Sequence, residues 1–400
     1  MKIERNVLFV VLALAVVLGA ALRDQYLLHI AVMVLFYAVL ATSLNLLVGY
    51  VGEFSLGHTA FLGVGAYTAA LCATHLGWPM WITIPAGGIV AGITGLLIGA
   101  ITLRLQGPFF VIVTLAFAEV LRLTANNWIA LTNGPMGLAG IPQPAWLAGG
   151  PTEAKLFYYY VALLLLAVAV YLSYRFVYSN AGRAAVAVRE NRYVAQSIGI
   201  RPLAYGLTAL GLGAVLTGMA GGFYAHYISF VGPEVFGFPF MLSMIIMVLV
   251  GGKGTLLGPL LGALLVTFLE EYLREAKELR LSIFGLAVMA VVLFMPRGLM
   301  GFLLRRREQR AEAVGDRDRL DRDGRIGRQA QGDGVAPLRL DAVDAHVGPR
   351  RIVGREIRRE KTVADRLRHR CERAERQQQR DMLRGDVAFG AALTRLHGAD

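Results

Sequence analysis

Two cysteines in 400 residues, Cys72 in an apolar run and Cys371 in a polar one, leave no material for a disulfide framework. Neither has a second Cys or a His at ligand spacing, so no zinc site is indicated, and Cys72 reads as a small buried hydrophobe. Charge is scarce too. Only 17% of the residues are Asp, Glu, Lys or Arg against 56% hydrophobic, which is not the make-up of an ordinary soluble domain. No basic stretch is interleaved with aromatics, which excludes a nucleic-acid surface. A phosphate loop is missing. In Val250-Gly251-Gly252-Lys253-Gly254-Thr255 the first glycine of the motif is replaced by Met247, and Gly254 follows the lysine where Ser or Thr is needed. No Ser/His/Asp arrangement or two-His metal spacing stands out. His29, His58, His75 and His226 are scattered and read as structural or interfacial. The chain therefore carries no recognisable ATPase site, catalytic constellation or cofactor of its own.

What is present is apolar and long. A spanning helix needs about 20 mostly apolar residues, and candidates fall at 6–22, 27–48, 57–75, 80–103, 109–131, 156–178, 204–226, 238–251, 255–272 and 281–296. The expected fold is all-α: a polytopic membrane protein of about ten helices, multi-pass in the lipid bilayer. The 57–75 and 255–272 segments are Gly-rich and open to a re-entrant or broken reading. With the N-terminus in the cytoplasm, Arg104, the 179–201 stretch, Lys253, Arg297 and Arg305–Arg307 all fall inside, as the positive-inside rule asks. The segment 273–280 fits least well. Lys2, Arg5 and Gly19-Ala20-Ala21 resemble a signal peptide, but cleavage would put the orienting charges out of step, so a retained first span is expected. Glycines spaced by four, as in Gly88/Gly92, Gly95/Gly99, Gly218/Gly222 and Gly258/Gly262, suit close helix packing in lipid.

Near residue 305 the chain changes character. Up to Arg310 there are 20 Lys+Arg and 12 Asp+Glu; the rest of the chain holds 20 and 16, with Phe389 its only aromatic. This divides the protein into a transmembrane domain, 1–305, and a polar Arg-rich tail, 306–400. Such a tail buries too little to order itself. Its Arg, Ala, Gly, Asp and Val are also what GC-rich codons yield out of frame. A disordered extension and a frameshift near 308–315 both stand as readings.

One strongly charged segment lies between the apolar blocks, Ser179 to Arg201. Wound as a single helix, it gathers Ala184, Ala187, Val188, Val194, Ala195 and Ile198 on one arc and Arg183, Arg189, Glu190, Arg192 and Gln196 on the other. Only Asn191 intrudes on the apolar arc. A helix resting on lipid would carry bulky anchors. The small Ala and Val side chains here suit docking to protein, with a surface centred on Arg183, Arg189, Glu190 and Arg192.

Elsewhere, Asn45, Glu53 and His58 flank a Gly49/Gly52 break and are candidates for a pathway or gate. Leu47–Gly52 is echoed by Leu249–Gly254, and both a chance likeness of Gly-rich apolar text and a short internal repeat of the kind found in transporters stand as readings. Glu119 and Arg122 lie near the centre of a span, where charge needs explanation. They read as an ion pair inside the bundle or as a polar element of the pathway. The turn-rich segments 133–142 and 231–234 read as loops; the first begins an external segment of about 25 residues between spans, open to docking an external partner or to a solvated connector.

Five stretches agree in order with one family: N-L-L-V-G-Y-V-G-E-F-S-L-G-H-T-A-F-L-G-V-G-A-Y (45–67), G-P-F-F-V-I-V-T-L-A-F-A-E-V (107–120), N-G-P-M-G-L-A-G-I-P (133–142), G-R-A-A-V-A-V-R-E-N (182–191) and G-P-E-V-F-G-F-P-F…G-G-K-G-T-L-L-G-P-L-L-G-A (232–263). Over about residues 25–305 the chain resembles the LivM-type permease subunit of branched-chain amino-acid ABC transporters. The tail matches nothing in that pattern. The resemblance implies an importer in the bacterial inner membrane, with both termini cytoplasmic. It also implies a second permease subunit, two cytoplasmic ATPase subunits and a periplasmic substrate-binding protein that delivers Leu, Ile or Val. The segment 179–201 would contact the ATPases, with Gly182, Arg183, Arg189, Glu190 and Gly199 on matching positions. Alternatives are a same-family permease for urea or short amides, and a secondary transporter or channel without ATPases. The latter predicts more charge at mid-membrane than Glu119 and Arg122 supply.

Overall fold

A computed structural model describes residues 15–17, 19, 24–105, 107–144 and 150–273, with the isolated positions 285, 289, 298 and 300. The chain divides into two units, Met1–Gly315 and Asp316–Asp400, and the described residues all belong to the first. Most of the expected spans 6–22 and 281–296, and the whole tail from 306, lie outside the described residues.

Every other expected span coincides with a helix. In chain order these are α1 (Gln25–Asn45), α2 (His58–His75), α3 (Met80–Thr102), α4 (Pro108–Asn127), the short α5 (Ile129–Thr132) and α6 (Pro151–Val177). They continue with α7 (Asn180–Glu190), α8 (Arg192–Ser197), α9 (Pro202–Ile228), α10 (Phe238–Gly251) and α11 (Gly258–Tyr272). Among the described residues, five segments are long and apolar enough to cross a membrane: Gln25–Val51, Met80–Thr102, Pro108–Asn127, Thr152–Val177 and Pro202–Ile228. The span expected at 109–131 ends early. At Trp128 the backbone leaves helical geometry, and α5 restarts for four residues.

Two helices organise the rest. α1 packs on α6, α9, α10 and α11, and α9 packs on α3 and α2. Between helices in lipid there is little hydrophobic drive, so close approach and dispersion must hold them. The glycines do this. Gly88, Gly92, Gly95 and Gly99 turn one face of α3 onto Met219, Val215, Ala214 and Leu210 of α9. At Gly218 an added methyl group would run into the Ala91 side chain and reach the Gly87 carbonyl oxygen at 2.7 Å. Backbone on the far side cannot yield. Gly218→Val is therefore expected to destabilise the bundle by about 1–3 kcal/mol, seen as a lower unfolding temperature of the purified chain in detergent.

The loops beyond α4 and α9 meet. Leu138–Ala139 and Phe230–Val231 form a two-residue antiparallel ladder, Leu138 opposite Val231 and Ala139 opposite Phe230. This is a small departure from an all-helical chain. It gives partners to backbone groups that a loop would otherwise leave open. The 133–142 segment is thus tied to the bundle at this point. Asn133 adopts φ 59°, and its side-chain amide donates to the Gly137 carbonyl at 3.0 Å.

Candidate functional site

Residues 179–201 do not form one helix. Ser179 caps α7, its hydroxyl accepting from the Gly182 amide at 3.2 Å. The chain then breaks at Asn191, whose backbone is extended. The Asn191 side chain accepts from the amides of Tyr193 and Val194, both at 3.1 Å, and so starts α8. Asn competes for backbone donors, which makes it a cap and not an interior residue. The residue that spoiled the apolar arc is the one that ends the helix.

The break also reassigns the faces. Ala184, Val188 and Ala195 of the expected apolar arc are buried, Ala187 is half-buried, and Ala185, outside that arc, is buried as well. Val194 and Ile198 are not: they are 58% and 70% exposed, beside Tyr193 at 73%. Gly182 seats α7 against the end of α6, where a Cβ would meet the Phe176 and Val177 carbonyls. Gly199, at φ 85°, turns the chain after α8. Arg183 stays outside and bonds the Asn180 side chain. Glu190 is exposed and pairs with Arg189 at 2.7 Å.

Arg189 and Arg192 both reach inward. Arg189 Nη1 donates to the Gly49 carbonyl at 2.6 Å, 140 residues away in sequence. Arg192 Nη1 donates to Glu53 at 3.3 Å and its Nη2 to the Leu103 carbonyl at 3.4 Å. The Arg192 and Glu53 side chains are each 19% exposed, so this pair is half-sheltered. Burial pushes the Glu53 carboxyl up, and the Arg192 charge pulls it partway back.

Their target is an irregular piece of backbone. After Asn45 the helix widens into a π-turn, Leu46–Val51, closed by Gly52 donating to the Leu47 carbonyl at 3.0 Å. Such turns recur at functional positions. Gly52 exits it at φ 87°, with the Arg189 stem against it. The sequence echo of this break, 249–254, lies directly beside it. Asn45 is 2% exposed and holds the two together. Its Nδ2 donates to the Thr255 carbonyl at 2.8 Å, and its Oδ1 accepts from the Gly254 amide at 2.9 Å. A Cβ at Gly49 would strike Asn45 and come within 2.5 Å of the Gly254 amide nitrogen. Lys253 completes the junction, its ammonium 5.8 Å from the centre of the Phe54 ring.

Asn45, Gly49, Gly52 and Glu53 are therefore brought together, and the 179–201 segment grips them. The other two pathway candidates lie elsewhere. His58 is fully buried at the start of α2 against the edge of Phe61, and neither ring nitrogen has a hydrogen-bond partner. Glu119 forms the expected ion pair with Arg122, at 2.6 Å, but not inside the bundle. Their side chains are 49% and 36% exposed on the outer face of α4, because the buried seam of α4 runs through Phe110, Thr114 and Ala118 instead.

Thr255, Lys253, Phe54 and Leu103 went unnoticed as parts of the junction. The echo at 249–254 contains Lys253 and ends one residue before Thr255. Among the described residues no three His, Cys, Asp or Glu side chains come together in a way that could hold a metal ion. What the arrangement offers is a mechanical link: an exposed pair of short helices tied by two guanidinium groups to the break after α1, which Asn45 joins to the break after α10.

Residues 26–296 match the family described as branched-chain amino acid transport system / permease component. Over 293 residues the chain is 32% identical to the high-affinity branched-chain amino acid transport system permease protein LivM of Salmonella typhimurium, covering 68% of this chain and 69% of that protein. The LivM protein of Escherichia coli is equally similar. The corresponding LivH permease protein of Salmonella typhimurium is 23% identical over 287 residues, 66% of this chain and 91% of that protein. No solved structure matches the chain. The family match runs from the first described span across the α7–α8 segment and both glycine breaks, so this multi-pass membrane protein belongs to the family of permease components of branched-chain amino acid transport systems.

Proposed function

We propose that the chain is a membrane-spanning subunit of an ABC importer that carries leucine, isoleucine and valine across the bacterial inner membrane. Residues 1–305 are its permease domain, with both termini in the cytoplasm. It catalyses no reaction itself. Two cytoplasmic ATPase subunits hydrolyse ATP, a second permease subunit completes the pathway, and a periplasmic binding protein delivers the substrate. The LivM and LivH relatives support the substrate and the two-permease composition.

The observation that carries this reading is the contact of Arg189 with Gly49. A helix pair that faces outward grips the irregular backbone after α1, where Asn45 holds the two glycine breaks together. Pushing on α7 and α8 moves that junction, and alternating access needs such a bistable element. Arg183, Glu190, Tyr193, Val194 and Ile198 form the surface offered to the ATPase. Arg189 and Arg192 pass the motion inward to Gly49 and Glu53. Gly182 and Gly199 set the seat and the exit of the segment.

The direct test is uptake into proteoliposomes holding the chain, its second permease and the ATPases, with the binding protein outside. Labelled leucine should accumulate only with ATP and binding protein; accumulation without ATP would overturn the reading. A second result follows from the exposed apolar side chains. Tyr193→Ala with Ile198→Ala should reduce co-purification of the ATPase at least about tenfold, since buried aromatic anchors dominate interfaces. Unchanged co-purification would place the docking surface elsewhere.

A further inference from the structure

α4 turns most of its surface outward. Of its 20 residues only Phe110, Thr114, Ala118 and Ala125 are buried. α3 also has a broad outward face, and the two differ in chemistry. On α3 the exposed residues Ile82, Ile89, Ile93, Leu97 and Ile101 are apolar throughout, as lipid tails accept. On α4 the outward face carries Glu119 and Arg122, joined by two hydrogen bonds of 2.9 and 2.6 Å. Glu119 lies roughly 17 Å along the helix from Pro108 at 1.5 Å per residue, about halfway through a hydrocarbon layer of about 30 Å. A charged pair facing lipid at that depth is among the costliest placements a span can make. Its acid and base already satisfy each other, so what it lacks is shielding, not a counter-charge.

The surroundings run in one line. Ile112, Leu115, Glu119, Arg122 and Asn126 are spaced three and four apart and share one side of the helix. At the start of that line an open cleft of about 430 Å³ is bounded by Gly52, Glu53, Phe54, Gly107, Val111 and Ile112. The cleft joins the outer face of α4 to the junction that Arg189 and Arg192 hold.

We infer that this line of α4 packs against the second permease chain, and that Glu119 and Arg122 occupy a polar seam between the two chains, continuous with the cleft at Glu53. The inference rests on the proposed reading of the chain as one half of a two-permease importer. The occupant is a membrane-spanning chain of the same fold. A self-paired ion couple at mid-span is sheltered by packed helices, and both kinds of relative to this chain are permeases.

The test uses the full chain, expressed with its second permease and ATPases, carrying a benzoylphenylalanine photoprobe at Leu115 on α4 or, for comparison, at Ile93 on α3. Irradiated membranes should give a Leu115 adduct identified by mass as the second permease, and none from Ile93. If the complex co-purifies intact but the Leu115 probe captures only lipid, or a second copy of this chain, the inference fails while the importer reading stands. If no second permease co-purifies with the unmodified chain, both fail. Arg122→Met supplies an independent readout, because it strands the Glu119 charge in the seam. It should cut the co-purified second permease at least about tenfold, and Glu119→Leu with Arg122→Met together should restore much of it. No loss with Arg122→Met alone would overturn the inference.

Discussion

Arg189→Ala is expected to reduce ATP-driven uptake by at least about tenfold while the chain still inserts and its partners still co-purify. The side chain leaves α7 and donates to the Gly49 carbonyl at 2.6 Å. Hydrogen bonds from a charged group contribute about 1.5–3 kcal/mol, and 1.4 kcal/mol is a factor of ten. The effect falls on coupling because the bond joins α7 to the break in α1 and not to its own helix. Truncation also removes the stem that lies against Gly52. Arg189→Lys should be intermediate: an ammonium reaches Gly49 or Glu190 but lacks the fork that serves both. Glu190→Gln should do far less to the junction, since Glu190 is 69% exposed and surface pairs contribute only about 0–1 kcal/mol. Uptake assays on the three variants, with insertion and ATPase co-purification measured alongside, check the order. Wild-type uptake by Arg189→Ala would remove the clamp from the mechanism.

Asn45→Leu is expected to be the most destabilising single change among the site residues. Leucine matches the shape but serves neither the Gly254 amide nor the Thr255 carbonyl. The Asn45 side chain is buried, and the two groups it serves are half-buried. An unsatisfied group costs up to about 1–3 kcal/mol when fully buried and less when half-buried, and the loss also separates the two breaks from each other. Asn45→Asp keeps the acceptor for Gly254 and loses the donor to Thr255, so it should be milder at first order. Thermal unfolding in detergent reads the stability, and leucine uptake reads the function. A leucine variant as stable and active as the original chain would mean that the two breaks are held by something other than this side chain.

These two residues also show how far a sequence can be read. Asn45 was visible as a polar residue at the edge of a glycine break, and the 249–254 echo was visible as text. That the break and its echo touch was not, because their contact spans about 210 positions and depends on how α1, α10 and α11 pack. Arg189 and Arg192 looked like members of an outward polar arc. Helical periodicity assigns residues to faces of one helix; it cannot say which face meets a neighbour. Once Asn191 ends α7, α8 starts in a new direction and the two-faced wheel no longer applies. Val194 and Ile198 then move outward and Arg192 turns toward Glu53. Glu119 illustrates the same limit. Its ion pair with Arg122 follows from a spacing of three, whereas its position on the outer face of α4 follows from which seam α2 and its neighbours bury.

Apolar length, glycine spacing and the five ordered stretches were enough to establish an all-helical membrane chain of the branched-chain permease type, because span length and composition are local requirements of a lipid solvent. They also located the charged segment at 179–201. The direction of each of its charges was decided by packing. Arg189 ends on a backbone carbonyl exposed by a π-turn, and Arg192 on a half-sheltered carboxylate. Partners so distant in sequence are selected only when the helices close around them and polar groups leave water.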